Sequence, residues 1–117
     1  MMDINTEVSK DVAEKVFEAI ELAKKSGKLK KGTNECTKAI ERGTAKLIVA
    51  AKDVNPKEII MHLPGLCAEK GIPFALVGSK EELGTAAGVG LSTAAVAIIQ
   101  EGEAKALVAE LTAQLKH

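Results

Sequence analysis

Three polar side chains with different hydrogen-bonding chemistry stand close together in residues 30–38, which read KKGTNECTK. Asn34 both donates and accepts hydrogen bonds, Glu35 only accepts them, and Lys38 only donates them. Glu35 and Lys38 are three residues apart, so they share one face if the segment is helical. Lys38 would suit the acceptors of a guanine edge and Glu35 its donors. Spacing alone favours a plainer interpretation, an ion pair on the surface of a helix.

The backbone of the same segment favours an anionic ligand. Gly32 lets a ligand approach the main chain closely, and the free N–H groups at the start of a helix attract phosphate. Thr33 or Asn34 is expected to cap this helix, and Gly43 to end it.

The charge of the chain is distributed unevenly. Its formal net charge is zero, yet residues 24–46 carry eight lysines or arginines against two glutamates, a net charge of +6 that leaves −6 elsewhere. Such asymmetry is typical of a surface that binds a polyanion, although a solvated charged face accounts for it equally well. Tryptophan and tyrosine are absent, which argues against an aromatic platform that stacks on single strands.

Other candidate sites carry weaker signals. His62 is expected to be a surface or packing residue of a helix. Glu81 and Glu82 are adjacent, so their side chains point apart on a helix. The glycines of residues 84–90 hint at a phosphate cradle, but no phosphate-binding motif surrounds them. We therefore expect no enzymatic activity.

The two cysteines, Cys36 and Cys67, lack the spacing of a metal site. We expect free structural thiols, with neither a metal, a disulfide nor a cofactor, as is usual in a reducing cytoplasm. No stretch is apolar enough to span a membrane, and the N-terminus does not resemble a secretory signal.

Helical and strand patterns alternate along the chain. Apolar spacing and capping signals predict helices near residues 9–25, 33–43, 55–70, 79–87 and 104–116, with the third interrupted near Pro64. Apolar runs predict strands at residues 46–51, 72–77 and 94–99, and the short basic stretch around Leu29 is a candidate for a further small strand. This order predicts an α/β sandwich around a partly parallel sheet, in a single domain spanning residues 1–117.

From about residue 28 to 99 the chain resembles the kink-turn-binding family of ribosomal proteins, and especially its archaeal large-subunit members. The resemblance rests on residues 30–38 and on five further motifs in the same order and spacing: AKDVNP at 51–56, IMHLP at 60–64, GIPF at 71–74, SKEELG at 79–84 and AGV at 87–89.

The resemblance implies a three-layer α/β/α sandwich with a small mixed sheet, and binding to the kink-turn, a helix–bulge–helix RNA with tandem sheared G·A pairs. Sequence-specific RNA binding usually targets such bulges. The implied contacts are Asn34, Glu35 and Lys38 on the two guanines, Lys31, Gly32, Thr33 and Arg42 on the backbone near the kink, Ile59 and Lys80 beside the bulge, and Val89, Gly90 and Leu91 over the extruded nucleotides.

One departure concerns that last loop, where eukaryotic relatives often carry Ser-Arg-Pro after the valine. Here Gly90, Leu91 and Ser92 follow, and an apolar Leu91 cannot contact a phosphate as arginine does, so we expect a broader RNA preference.

The resemblance also implies the partners and the location. The expected RNAs are large-subunit ribosomal RNA, box C/D and box H/ACA guide RNAs, and the RNA of ribonuclease P. The protein would nucleate ribonucleoprotein assembly with core proteins, as a cytoplasmic monomer when free. Two alternatives stay open: a phosphate-binding enzyme domain that uses residues 84–90, and a protein-bridging subunit that uses the helix at residues 55–70.

Overall fold

Three strands of the central sheet run in the same direction and finish at one end of it. The computed structural model describes residues 7–54, 57–89 and 92–115. Its strands are β1 (Lys28–Lys31), β2 (Leu47–Ala51), β3 (Phe74–Val77) and β4 (Ala95–Gln100), in the order β1-β4-β2-β3. β2 is parallel to β3, and β4 is antiparallel to both β1 and β2. The carboxyl end of the sheet, as we call it, is therefore where β1, β2 and β3 finish and β4 begins.

Helices cover both faces of this sheet. They are α1 (Lys10–Ser26), α2 (Thr33–Arg42), α3 (Leu63–Lys70), α4 (Lys80–Ala87) and α5 (Lys105–Leu115). α2 contacts α3, whereas α1 contacts α4 and α5. Because β1–α2–β2 and β2–α3–β3 both connect parallel strands, right-handed crossovers put α2 and α3 on the same face. The predicted α/β/α sandwich with a small mixed sheet is confirmed.

The central strand β2 holds the two helical layers together. All five of its residues are buried, as expected for an apolar strand that helices cover on both faces. Val16 and Ile20 of α1 and Ile40 of α2 are fully buried against the sheet layer. At the β3 edge, the Val8 N–H donates a hydrogen bond to the Leu76 carbonyl at 2.9 Å. The carboxyl end is thus built on a rigid, well-packed scaffold.

The region around Pro64 differs from the prediction. Instead of one helix interrupted there, a short 3-10 turn spans Lys57–Ile59, and α3 begins at Leu63 with Pro64 in its first turn. Proline suits this position because a first-turn residue needs no N–H donor. The predicted helix start at residues 55 and 56 lies outside the described residues. No helix in the described part of the chain is both long and apolar enough to cross a membrane.

Cys36 and Cys67 lie on the two facing helices α2 and α3, and both are fully buried. Burial raises the pKa of each thiol from 9.0 to about 12, and the nearby Cys67 and Glu35 add to the effect on Cys36. Within the described ranges, no group of three or more potential ligands could hold a metal ion. Because the thiolate is the reactive form, we expect both cysteines to be inert.

This expectation is testable with a thiol reagent such as dithionitrobenzoate at pH 8. Both native thiols should react at least about 100-fold more slowly than in the urea-unfolded chain, because burial and the raised pKa suppress the thiolate. Rapid labelling of the native protein, or stoichiometric zinc in it, would contradict the prediction.

The same pKa values set how the stability of the fold depends on pH. The thiols have a higher pKa in the folded chain than in the unfolded chain, so their contribution to the free energy of unfolding is fully present below pH 9. That contribution is lost as the pH rises from about 9 to about 12.

Candidate nucleic-acid interface

An open groove with a volume of about 490 Å³ lies at the carboxyl end of the sheet. The turn from β1 into α2 lines one side, and the 3-10 turn with the residue before α3 lines the other. We call it the α2 groove; its lining residues are Lys31, Gly32, Thr33, Asn34, Glu35, Ile59 and His62. Six of these seven were predicted as binding residues from the sequence, and His62 was not.

Gly32 fixes the geometry of the first side of the groove. Its φ and ψ angles are 101° and 152°, a region that essentially only glycine adopts. The Gly32 N–H donates to the Ala95 carbonyl at 2.8 Å, and the Gly32 carbonyl accepts from the Cys36 N–H at 3.0 Å. One residue therefore joins strand β4 to the start of helix α2.

The predicted cap of α2 is wrong. Gly32, and neither Thr33 nor Asn34, is the N-cap residue, and no side-chain hydrogen bond caps the helix. Gly43 ends the helix in a left-handed conformation, as predicted. A helix start without a side-chain cap leaves first-turn N–H groups for water or a ligand. These groups belong to residues that line the α2 groove, so the groove can receive an anion or a carbonyl.

The two sides of the groove are linked by a pair of hydrogen bonds that meet at one hydroxyl. The Thr37 hydroxyl donates to the Thr33 carbonyl at 2.9 Å, and the same oxygen lies 2.8 Å from His62 Nε2. His62 is exposed and directly precedes α3. Sequence reasoning missed its place in the groove because its partner is 25 residues away. Only the packing of α2 on α3 brings the two together.

Glu35 and Lys38 form a loose ion pair. Their Oε2 and Nζ atoms are 3.8 Å apart, and the side chains are 44% and 56% exposed. Solvent screens such a pair, which therefore contributes little to stability. The helical ion pair suggested by the spacing is thus present, but both groups can turn to a ligand at little cost. Arg42 continues the same helical face, about 13 Å along the axis from Thr33 at 1.5 Å per residue.

Lys80 lies at the same end of the sheet on the other helical layer. It begins α4, and its N–H donates to Asp53 Oδ1 at 2.8 Å, which ties the helix to the residues after β2. Ser79 Oγ accepts from the Glu82 N–H at 3.1 Å, which confirms the predicted cap. Lys80 is outside the lining of the α2 groove.

The described residues on either side of the predicted apolar loop are Val89 and Ser92. Val89 is partly exposed and follows Gly88, which has a φ of 79°. Further on, the Thr93 N–H donates to the Lys80 carbonyl at 3.2 Å. Gly90 and Leu91 lie outside the described residues, so their predicted contacts stay predictions.

The edge strand next to the groove is basic. β1 is the outer strand of the sheet, and Lys28, Lys30 and Lys31 on it are exposed. Lysines on an edge strand also discourage pairing with another sheet. Part of the positive charge of residues 24–46 therefore adjoins the α2 groove, which Lys31 lines.

The second depression of the surface has the opposite character. It has a volume of about 310 Å³ between α1 and α4, and Glu21, Glu81 and Glu82 line it together with Phe17. Nearby Gly84 is buried inside α4. Three carboxylates repel phosphate, so this depression is unsuited to a phosphate ligand beside Thr85 and Ala86.

Comparison with known proteins agrees with this arrangement. The profile of the ribosomal protein L7Ae/L30e/S12e/Gadd45 family matches residues 14–108. The chain belongs to that family. A solved structure of the Giardia lamblia 15.5kD RNA binding protein matches this L7Ae-family fold with a TM-score of 0.91 and 28% sequence identity, over 99% of this chain and 98% of that one. The predicted family and the absence of enzymatic activity are confirmed, while archaeal origin stays a prediction.

The role of Gly32 can be tested against Gly65, a matched glycine in α3. A Cβ atom would meet nothing within 4 Å at either position, but only Gly32 has a positive φ. Gly32→Ala should lower the free energy of unfolding by about 1–3 kcal/mol because its backbone conformation is strained for alanine. Gly65→Ala should leave it unchanged or raise it by up to about 1 kcal/mol. Urea unfolding of both variants measures the difference, and equal effects would refute a conformational role for Gly32.

Proposed function

We propose that this L7Ae-family protein binds kink-turn RNA through the α2 groove and stabilises the kinked form. One observation carries the proposal: an uncapped helix start, an amide, a carboxylate and a lysine line one open groove beside a basic strand. A structural relative named as an RNA-binding protein supports the choice of ligand.

Glu35 in the groove and Lys38, which follows it on α2 outside the lining, together suit guanine edges. Glu35 can accept from the N1–H or N2–H of a guanine, and Lys38 can donate to O6, once the loose pair between them opens. Hydrogen bonds with one charged partner are stronger than neutral ones. A carboxylate in the middle of a basic surface weakens attraction to RNA unless it makes such a contact. Asn34 at the exposed first turn can both donate and accept at a neighbouring base.

The size of the groove favours bases that stand out of a regular helix. A volume of about 490 Å³ is that of a small-molecule site and is far too small for a duplex. Regular RNA helices hide their base edges in a deep, narrow major groove, whereas bulged and unpaired elements expose them. The exposed cations Lys31 and Arg42 on one side and the partly exposed Lys80 on the other would contact the phosphates that flank the kink.

The cellular partners follow from the resemblance described above. The proposed RNAs are large-subunit ribosomal RNA, box C/D and box H/ACA guide RNAs and ribonuclease P RNA, on which one domain would nucleate the assembly of core proteins. A monomeric protein that acts in the cytoplasm, on ribosomes and in small ribonucleoprotein particles completes the proposal.

The contribution of Glu35 gives the sharpest test because base contacts and simple electrostatics predict opposite signs. Glu35→Ala should weaken binding to a kink-turn RNA, and Lys38→Ala should cost roughly 1–3 kcal/mol, as for other base-edge contacts. Lys46→Ala is the matched control, since this exposed lysine precedes β2 at the opposite end of the sheet. It should weaken binding only slightly and equally for all RNAs.

Dissociation constants for the three variants are measured against a kink-turn RNA and its inosine-substituted form, which lacks the guanine N2 amine. If Glu35 contacts that amine, the loss on Glu35→Ala should shrink with the inosine RNA. Tighter binding by Glu35→Ala, most visible at low salt, would leave only electrostatic attraction and contradict the proposal.

A further inference from the structure

The hydrogen bonds around Thr37 determine which ring nitrogen of His62 donates to the hydroxyl. A threonine hydroxyl has one proton, and the Thr33 carbonyl, 2.9 Å from it, can only accept. Both contacts of the hydroxyl are therefore satisfied only if its proton goes to Thr33 and its oxygen accepts from His62. Hence Nε2 of His62, at 2.8 Å, carries a proton and donates.

This assignment leaves the other ring nitrogen available. In a neutral imidazole that donates through Nε2, Nδ1 is an acceptor. No hydrogen bond to Nδ1 is formed within the described part of the chain, and the exposed ring lines the α2 groove. In the neutral ring Nδ1 is thus an acceptor with a fixed position, since the bond from Nε2 to Thr37 holds the ring in place.

The remaining groups of the groove show what such an acceptor would contact. Lys31 and the first-turn N–H groups of α2 donate, Asn34 does both, and Glu35 is the only other side chain that solely accepts. A phosphate oxygen cannot donate, so a neutral His62 does not complement it. The donors of a nucleotide are the ribose 2′-hydroxyl and the amino or imino groups of the bases.

Resting on the proposed function, we propose that His62 is a direct RNA contact whose Nδ1 accepts a hydrogen bond from a ribose 2′-hydroxyl or a guanine amino group in the α2 groove. Contact with the 2′-hydroxyl would let this side of the groove distinguish RNA from DNA. The Thr37 hydroxyl then positions the His62 side chain and also links the start of α3 to α2.

Two substitutions separate the two nitrogens of the ring. The amide nitrogen of His62→Gln can replace Nε2 and keep the bond to Thr37, but it leaves no acceptor at Nδ1. The amide of His62→Asn can supply an acceptor near Nδ1 and loses the bond to Thr37. The position is exposed, and far-UV circular dichroism with thermal unfolding checks that both variants fold.

Dissociation constants of the wild type and both variants for a kink-turn RNA test whether Nδ1 of His62 contacts the RNA. We expect His62→Gln to bind about 3–10-fold more weakly, the size of one neutral hydrogen bond, and His62→Asn, which keeps an acceptor but loses the bond to Thr37, to lose less affinity than His62→Gln. The opposite pattern would make His62 a positioning residue only, and equal binding or equal loss in both variants would also overturn the direct contact.

Single 2′-deoxy and inosine substitutions in the kink then identify the donor. For the RNA that lacks it, the wild type and His62→Gln should bind equally, and a loss that persists with every substituted RNA would overturn the proposal. Binding of the wild type to the unmodified kink-turn tests the proposed function separately, so that failure of the two ideas can be told apart.

Discussion

The turn at Gly32 is the constraint on which the rest of the interface depends. Its N–H is bonded to strand β4 and its carbonyl to the first turn of α2, so the start of the helix is held at the carboxyl end of the sheet. The backbone conformation that makes this possible belongs to glycine. Since glycine has no side chain to cap the helix, the same residue leaves the first-turn N–H groups available to a ligand. The backbone conformation of Gly32 therefore both positions helix α2 and exposes its first-turn N–H groups.

Charge distribution explains how a chain of zero formal net charge can attract RNA. The exposed lysines of β1 lead to the groove, which Lys31 lines, whereas three of the glutamates line a separate depression between α1 and α4. Glu35 is the exception, because it stands within the basic region and pairs only loosely with Lys38. General electrostatic attraction supplies affinity without sequence information. The few fixed donors and acceptors of the groove would have to supply the specificity.

The sequence predicted what local signals determine. The apolar spacing of α1, the Ser79 cap of α4 and the buried run of β2 all appear as expected, because each depends on neighbouring residues. Six groove residues were also predicted, since five are consecutive and the family resemblance implies Ile59. The true cap at Gly32 and the place of His62 in the groove were missed, because each depends on a hydrogen bond between elements distant in sequence. Arg42 shares a helical face with Lys38, yet the helix carries it away from the groove.

The central claim is that the protein recognises the bases of a kink-turn and not merely its charge. The direct measurement is the dissociation constant of the wild-type protein for a kink-turn RNA and for the same RNA without the tandem G·A pairs, at one salt concentration. Both RNAs carry the same phosphates, so their electrostatic contribution is equal. The account predicts binding at least about tenfold weaker without the G·A pairs, as expected for the loss of base-edge contacts. Equal affinity for the two RNAs would contradict it.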